Sequence, residues 1–224
     1  MEEFLASDFV ARGGVIVAVI GLGSFVALSV FLLRLFTLRR SRILPRNLTV
    51  QVRDLVLREQ IADALTLCRM DDSPLARVYL AALRQVGKPR AEIKEFVLEV
   101  GRHEAVRLQA GLGVLETVAV VSPLMGLLGT VWGMIDVFRT IEVHGVGDAG
   151  ALAGGIGTAL YTTLAGLLVA IPVRIAHSYL LSRADAVVLA MEEAALDLLD
   201  LLAHSGGSPE PDGGTAAGPR AGAS

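Results

Sequence analysis

The side chains that can do chemistry sit inside two apolar stretches. Thr158, Thr162 and Thr163 fall within six positions of GGIGTALYTTLAGLLVAIP, and Thr130 lies in the middle of SPLMGLLGTVWGM. A hydroxyl donates one hydrogen bond and accepts two, but does not titrate near neutral pH. These four threonines can therefore hand a proton along or hold its carrier, and cannot store it. A helical threonine can also bond the carbonyl one turn back, which satisfies it locally. That reading stays open for each taken singly. Several hydroxyls on small-residue faces of neighbouring helices point instead to a polar-lined path.

Asp, Glu, Lys, Arg and His are absent from the middle of these stretches. Glu116 stands near the start of one and Arg174 near the end of the other, the polar residues expected at the cytoplasmic side. A proton acceptor at mid-depth must then come from another protein. Other chemistries lack their signatures. His103, His144, His177 and His204 are scattered, with no HExxH and no paired-carboxylate motif. GxxxxGK[ST] is missing, which argues against nucleotide hydrolysis. Cys68 is the single cysteine, so neither an internal disulfide nor a cysteine-only zinc site is available. No catalytic residue, metal site or cofactor is expected. A net charge of −3 gives no electrostatic footprint for nucleic acid.

The elements that position these residues follow from where charge is missing. In a chain that is 53% hydrophobic, 13–33, 117–135 and 149–173 carry no charged residue. Each is about the 20 residues a helix needs to cross a bilayer. The first has an acidic segment before it and five arginines after it (Arg34, Arg39, Arg40, Arg42, Arg46), unlike a cleaved signal peptide. Those arginines belong in the cytoplasm by the positive-inside rule. The expected fold is an all-α membrane protein with three transmembrane helices. Spans two and three extend as long helices into the cytoplasm, beside shorter cytoplasmic helices. The expected order is a periplasmic N-terminus (1–12), a first transmembrane helix (13–36) and a cytoplasmic helical domain (37–109). A second transmembrane helix (110–138), a periplasmic loop (139–148) and a third transmembrane helix (149–174) follow. A cytoplasmic helical extension (175–204) and a disordered tail (205–224) complete it.

Within the cytoplasmic part, Val52, Leu55, Val56, Ile61, Leu65 and Leu67 recur near the helical period. Asp71-Asp72-Ser73-Pro74 predicts a helix start, running to about Val86 before Gly87 and Pro89. From Arg90 to Phe138 Pro123 is the only strong breaker, which predicts one helix of nearly fifty residues. The acidic extension with Glu192, Glu193, Asp197 and Asp200 could run beside the basic Arg102 and Arg107. Two solvated faces are the alternative.

Spans two and three also carry packing and kink residues. Gly126, Gly129 and Gly133 share one face of span two, and Gly155 and Gly166 are small positions in span three. Small residues let helix backbones approach in lipid, where apolar burial gives no drive for association. Pro123 and Pro172 each remove one helical hydrogen bond and can kink their helix.

Taken together these residues resemble the MotA/TolQ/ExbB proton-channel family. The resemblance rests on Leu115-Glu116-Thr117, on Ser122 to Met134, on Gly154-Gly155-Ile156, on Ala159 to Thr163 and on Gly166 to Pro172. Three spans favour the ExbB/TolQ branch over MotA, which has four, and the span-three stretch is more similar to ExbB. The resemblance implies a multi-pass protein of the bacterial inner membrane, forming a homo-oligomer, a pentamer, around the transmembrane helices of an ExbD/TolR-like single-span partner. That partner carries the intramembrane aspartate. Work driven by proton motive force passes to a TonB-like, or in the TolQ branch TolA-like, protein. The family's ring threonines map onto Thr130 and Thr163. The resemblance implies TonB-dependent transport across the outer membrane, with a TolQ-like role in outer-membrane maintenance or a non-conducting envelope scaffold as alternatives. One departure stands out. Many members carry a glutamate where this chain has Thr158.

Overall fold

The structure is a computed structural model that describes residues 2–144 and 149–205. The expected tail, and the tip of the expected 139–148 loop, lie outside the described residues. Eight helices and no strand make up the described residues: α1 (Glu2–Thr37), α2 (Arg40–Ile43), α3 (Arg46–Leu57), α4 (Ile61–Met70), α5 (Pro74–Arg84), α6 (Arg90–Gln109), α7 (Leu112–His144) and α8 (Ala149–Ser205). Three stretches are long and apolar enough to cross a membrane: Gly14–Thr37, Leu112–Val143 and Leu152–Ala203. The chain divides into two compact units.

The first unit contains 2–43 and the described part of 102–190. Here α1, α7 and α8 pack lengthwise. Gly14, at φ 56 and ψ −148, interrupts α1 just before its apolar stretch. Val17 and Ile20 of α1 form a buried cluster with Ala165 of α8, flanked by Met125 and Val169. Gly23 lies beside Val118, and Arg34 at the far end of α1 lies beside Gly111. α1 therefore runs antiparallel to α7. Large apolar side chains cover the outside: Phe25 and Trp132 are each 68% exposed, and Leu168 is 67% exposed. Contiguous apolar surface on this scale is the mark of a protein whose outer solvent is lipid.

The second unit is built from 44–101 and 191–205. Its core is ordinary for a water-soluble bundle. Val52, Val56, Leu75, Val78, Tyr79, Leu83, Met191 and Leu198 are all buried. Ser73 caps α5 as its sequence predicts: the Ala76 N–H donates to Ser73 Oγ at 3.2 Å, with Pro74 in the first turn. Asp71 Oδ1 in turn accepts from the Ser73 N–H at 2.8 Å. Burial pushes the Cys68 thiol up to about 12, with the Asp71 charge adding to the effect. Tyr79 is pushed above its ordinary value chiefly by burial.

Several local expectations change. The apolar repeat from Val52 to Leu67 is two helices, because Glu59 adopts φ 61 between α3 and α4. α5 stops at Arg84, two residues early, where the Gln85 and Val86 N–H groups bond the Ala82 and Leu83 carbonyls. The helix expected from Arg90 to Phe138 is broken between α6 and α7. Gly111 takes φ 79, and the Arg34 guanidinium fills the space a Cβ there would need, 2.9 Å away. A single glycine breaks the helix because the conformation and a neighbour both require it. Within the second unit α6 does run beside the acidic part of α8: Ile93 and Val97 share a buried cluster with Met191 and Ala195, and Arg90 pairs with Asp200. Arg107 pairs with Glu104 one turn back at 2.9 Å.

Candidate functional site

The α7–α8 seam is made by missing side chains. A Cβ on Gly126 would stand 2.9 Å from the Thr162 carbonyl oxygen, and one on Gly133 would stand 2.9 Å from Ala159 Cβ. A Cβ on Gly129 would land on the Thr162 side chain, one on Gly155 on Val137, and one on Gly166 on the Ser122 carbonyl. All five glycines singled out by spacing thus lie on the contact. Their lack of side chains lets the two backbones touch.

Hydroxyls stitch the same seam. Thr162 Oγ1 donates to the Ala159 carbonyl at 2.7 Å and lies 3.3 Å from the Gly126 carbonyl on α7. Thr163 Oγ1 donates to that same Gly126 oxygen at 3.2 Å. Thr162 is 2% exposed. It is wedged between the helices and presents no surface, so its expected place on a polar-lined wall gives way to a packing role. Thr130 donates to the Leu127 carbonyl at 2.7 Å, and Thr158 to the Gly154 carbonyl at 3.0 Å. Each hydroxyl proton is therefore held by a backbone oxygen of the protein, and the hydroxyl lone pairs remain free to accept.

Rotation along the helices sorts the remaining threonines. At about 100° per residue in an antiparallel pair, Thr130 and Thr163 lie on one flank of the seam. Thr158 lies on the other flank, with Val118, Met125, Ala165 and Val169, the side on which α1 packs. The Thr130–Thr163 flank is the one α1 leaves uncovered. Glu116 and Arg174 share that flank nearer the Arg34 end, 3.9 Å apart and each more than half exposed. At that exposure the pair adds little stability. It places a charged pair at one end of a flank whose mid-depth polar groups are hydroxyls.

Pro123 and Pro172 sit inside α7 and α8. Each lacks an N–H, which removes the helical donor from the Ala119 and Leu168 carbonyls. No group of three or more His, Cys, Asp or Glu side chains that could hold a metal occurs among the described residues.

Three features of this unit were not singled out from the sequence: buried His177, the Arg34–Gly111 contact, and a link from Arg183 to Tyr179 and to the Leu38 carbonyl. Only the four-residue spacing of Tyr179 and Arg183 gave a signal.

The sequence model of the MotA/TolQ/ExbB proton channel family matches residues 70–193. The chain belongs to this family. The match takes in α7, the seam glycines and all four threonines. Among similar proteins, a biopolymer transport protein ExbB homolog of Methanothermobacter thermautotrophicus is 32% identical over 177 residues, 77% of this chain and 62% of the relative. The biopolymer transport protein ExbB of Xanthomonas campestris is 38% identical over 100 residues, 45% of this chain and 40% of the relative. The biopolymer transport protein exbB1 of Vibrio cholerae is 40% identical over 105 residues, 46% of this chain and 44% of the relative. The chain thus spans about half the length of the curated relatives it matches. Membership makes the family one of transport and channel proteins, with ExbB as the kind this chain resembles.

Proposed function

We propose that this chain is the ExbB-like subunit of an inner-membrane proton-channel motor. With an ExbD-like single-span partner it couples proton motive force to TonB-dependent transport across the outer membrane. Its N-terminus is periplasmic and its C-terminus cytoplasmic, and copies of the chain, five in the complete ring, surround the partner helices.

One observation carries the reading. Thr130 and Thr163 lie on the flank of the α7–α8 seam that α1 leaves open, in a stretch with no Asp, Glu, Lys, Arg or His. Such a wall accepts a hydrogen bond from a protonated carboxyl or a water without taking its proton. The titrating acid is the partner's intramembrane aspartate. Protonation there removes a charge from a low-dielectric site and frees the partner helix to move against the wall. Glu116 and Arg174 stand where the path meets the cytoplasm. Thr158, on the α1 flank, stands apart from that wall and keeps a polar group where many relatives carry a glutamate, which this chain does without.

The test is conduction with and without the partner. The chain alone in proteoliposomes should pass protons at the background rate. Co-reconstitution with an ExbD-like protein should raise the flux, and changing that protein's intramembrane Asp to Asn should abolish the gain. Equal flux with and without the partner would leave the chain a scaffold.

A further inference from the structure

The α1 flank of the first unit holds a cavity of about 750 Å³. Leu28, Phe31, Leu115, Val169, Pro172 and Tyr179 are among the residues lining it. Sites for small molecules fall in the range of about 300–1,000 Å³ and are mostly apolar, with a few placed polar groups. Here the polar groups gather at one end. Arg183 Nη1 donates to the Tyr179 hydroxyl at 2.9 Å, and Arg183 Nε donates to the Leu38 carbonyl at 3.3 Å. Arg34, one turn beyond Phe31, lies against Gly111. Neither guanidinium forms an ion pair among the described residues. Arg39, Arg40 and Arg42 follow at the same end of α1, with Arg39 5.4 Å above the Phe36 ring. An apolar slot therefore ends in guanidinium groups that form no ion pair among the described residues.

We propose that this cavity binds an anionic phospholipid, with an acyl chain in the slot and the phosphate on Arg34 and Arg183. The charge at the mouth selects the class. A guanidinium fork matches phosphate oxygens bidentately, and arginine is more weakly hydrated than lysine, so it gives up water readily to an anion. A zwitterionic lipid would bring its own cation toward these arginines. The Arg34 end faces the cytoplasm in the orientation proposed above, where anionic lipid meets basic residues at the membrane surface. The bound lipid would brace α1 against α8 beside Pro172. This goes beyond the proton-channel reading and needs only that the three helices lie in a bilayer. Its readout is lipid retention, so failure here is distinct from failure of conduction.

The experiment uses the full chain in vesicles of phosphatidylcholine with a minor fraction of phosphatidylglycerol, released into mild detergent for native mass spectrometry. Retained phosphatidylglycerol should exceed its share of the vesicle by about fivefold or more. The R34Q/R183Q variant should return the ratio to that of the vesicle. Ala176→Phe, which fills the cavity, should lose adducts of both lipids. A photoreactive residue at Leu28 should yield a phospholipid-mass adduct. If the Ala176 variant fails to fold, the arginine variant and the photo-adduct decide the matter. Retention in the vesicle ratio by the unmodified chain, a preference unchanged in R34Q/R183Q, or photo-crosslinking to a second copy of the chain would overturn the proposal.

Discussion

Replacing Gly126 with alanine loads the α7–α8 seam where its neighbours are α8 backbone. The new Cβ would stand 2.9 Å from the Thr162 carbonyl oxygen and 3.0 Å from Thr163 Cα. Even a weakly bonding carbon–oxygen contact sits at about 3.3 Å or more, so one helix must retreat by about 0.4 Å. Both neighbours are α8 backbone, and neither can swing aside as a side-chain tip would. The retreat also stretches the approaches of Thr162 and Thr163 to the Gly126 carbonyl, now 3.3 and 3.2 Å. Overpacking of this kind costs about 1–3 kcal/mol, and an interhelical hydrogen bond in a membrane protein contributes about 0.6 kcal/mol. Alanine returns up to about 1 kcal/mol through its helix propensity. The net expectation is a loss of about 1–2 kcal/mol. Gly113→Ala is the control: its Cβ meets nothing within 4 Å, and it should gain about 0.5–1 kcal/mol. Unfolding in mixed micelles of rising SDS fraction, followed by circular dichroism, measures both. If Gly126→Ala proves as stable as Gly113→Ala, the seam does not depend on backbone contact and the reasoning fails.

The second unit offers two further tests. Ser73→Ala removes the side-chain acceptor of the Ala76 N–H and should cost about 1 kcal/mol, measured by thermal unfolding. With its pKa pushed from 9.0 to about 12, native Cys68 should react with iodoacetamide at pH 8 about a thousandfold more slowly than the unfolded chain. The raised value also sets a pH dependence. The folded state keeps a proton that the unfolded state releases, so the contribution is complete below about pH 9. It falls away as pH rises toward 12, and Tyr79, raised from 10.0, acts in the same direction. Unfolding midpoints that do not fall across this alkaline window would contradict the burial of both groups.

The architecture was readable where one physical requirement dominates. A helix in lipid must satisfy its own backbone and present apolar side chains, so three uncharged runs were enough to identify three spans. Glycine spacing located the α7–α8 seam for a similar reason, since small residues are what close packing in lipid requires. The Ser73–Pro74 start of α5 was legible because cap chemistry is local. The break at Gly111 was not. One glycine is tolerated inside many helices, and only the arrival of Arg34 from a distant segment makes this one necessary. The threonines divide along the same line. Their type and spacing announced hydroxyls in the membrane. Which of them faces the α7 backbone, which the α1 flank and which the open flank depends on how three helices pack. Thr162 shows the consequence, since it lies on the stripe beside Thr158 and Thr163 and is spent on the seam.

The proposed proton path has Thr130 and Thr163 as its hydroxyl wall. Proton flux in proteoliposomes, with the ExbD-like partner present, should be compared for Thr130→Val, Thr163→Val and Thr158→Val at matched assembly. Flux should fall by about a hundredfold or more in the first two, the lower end of what removing a placed proton-transfer group costs, and stay near the parent value in the third. Undiminished flux in both Thr130→Val and Thr163→Val, or a fall confined to Thr158→Val, would contradict it.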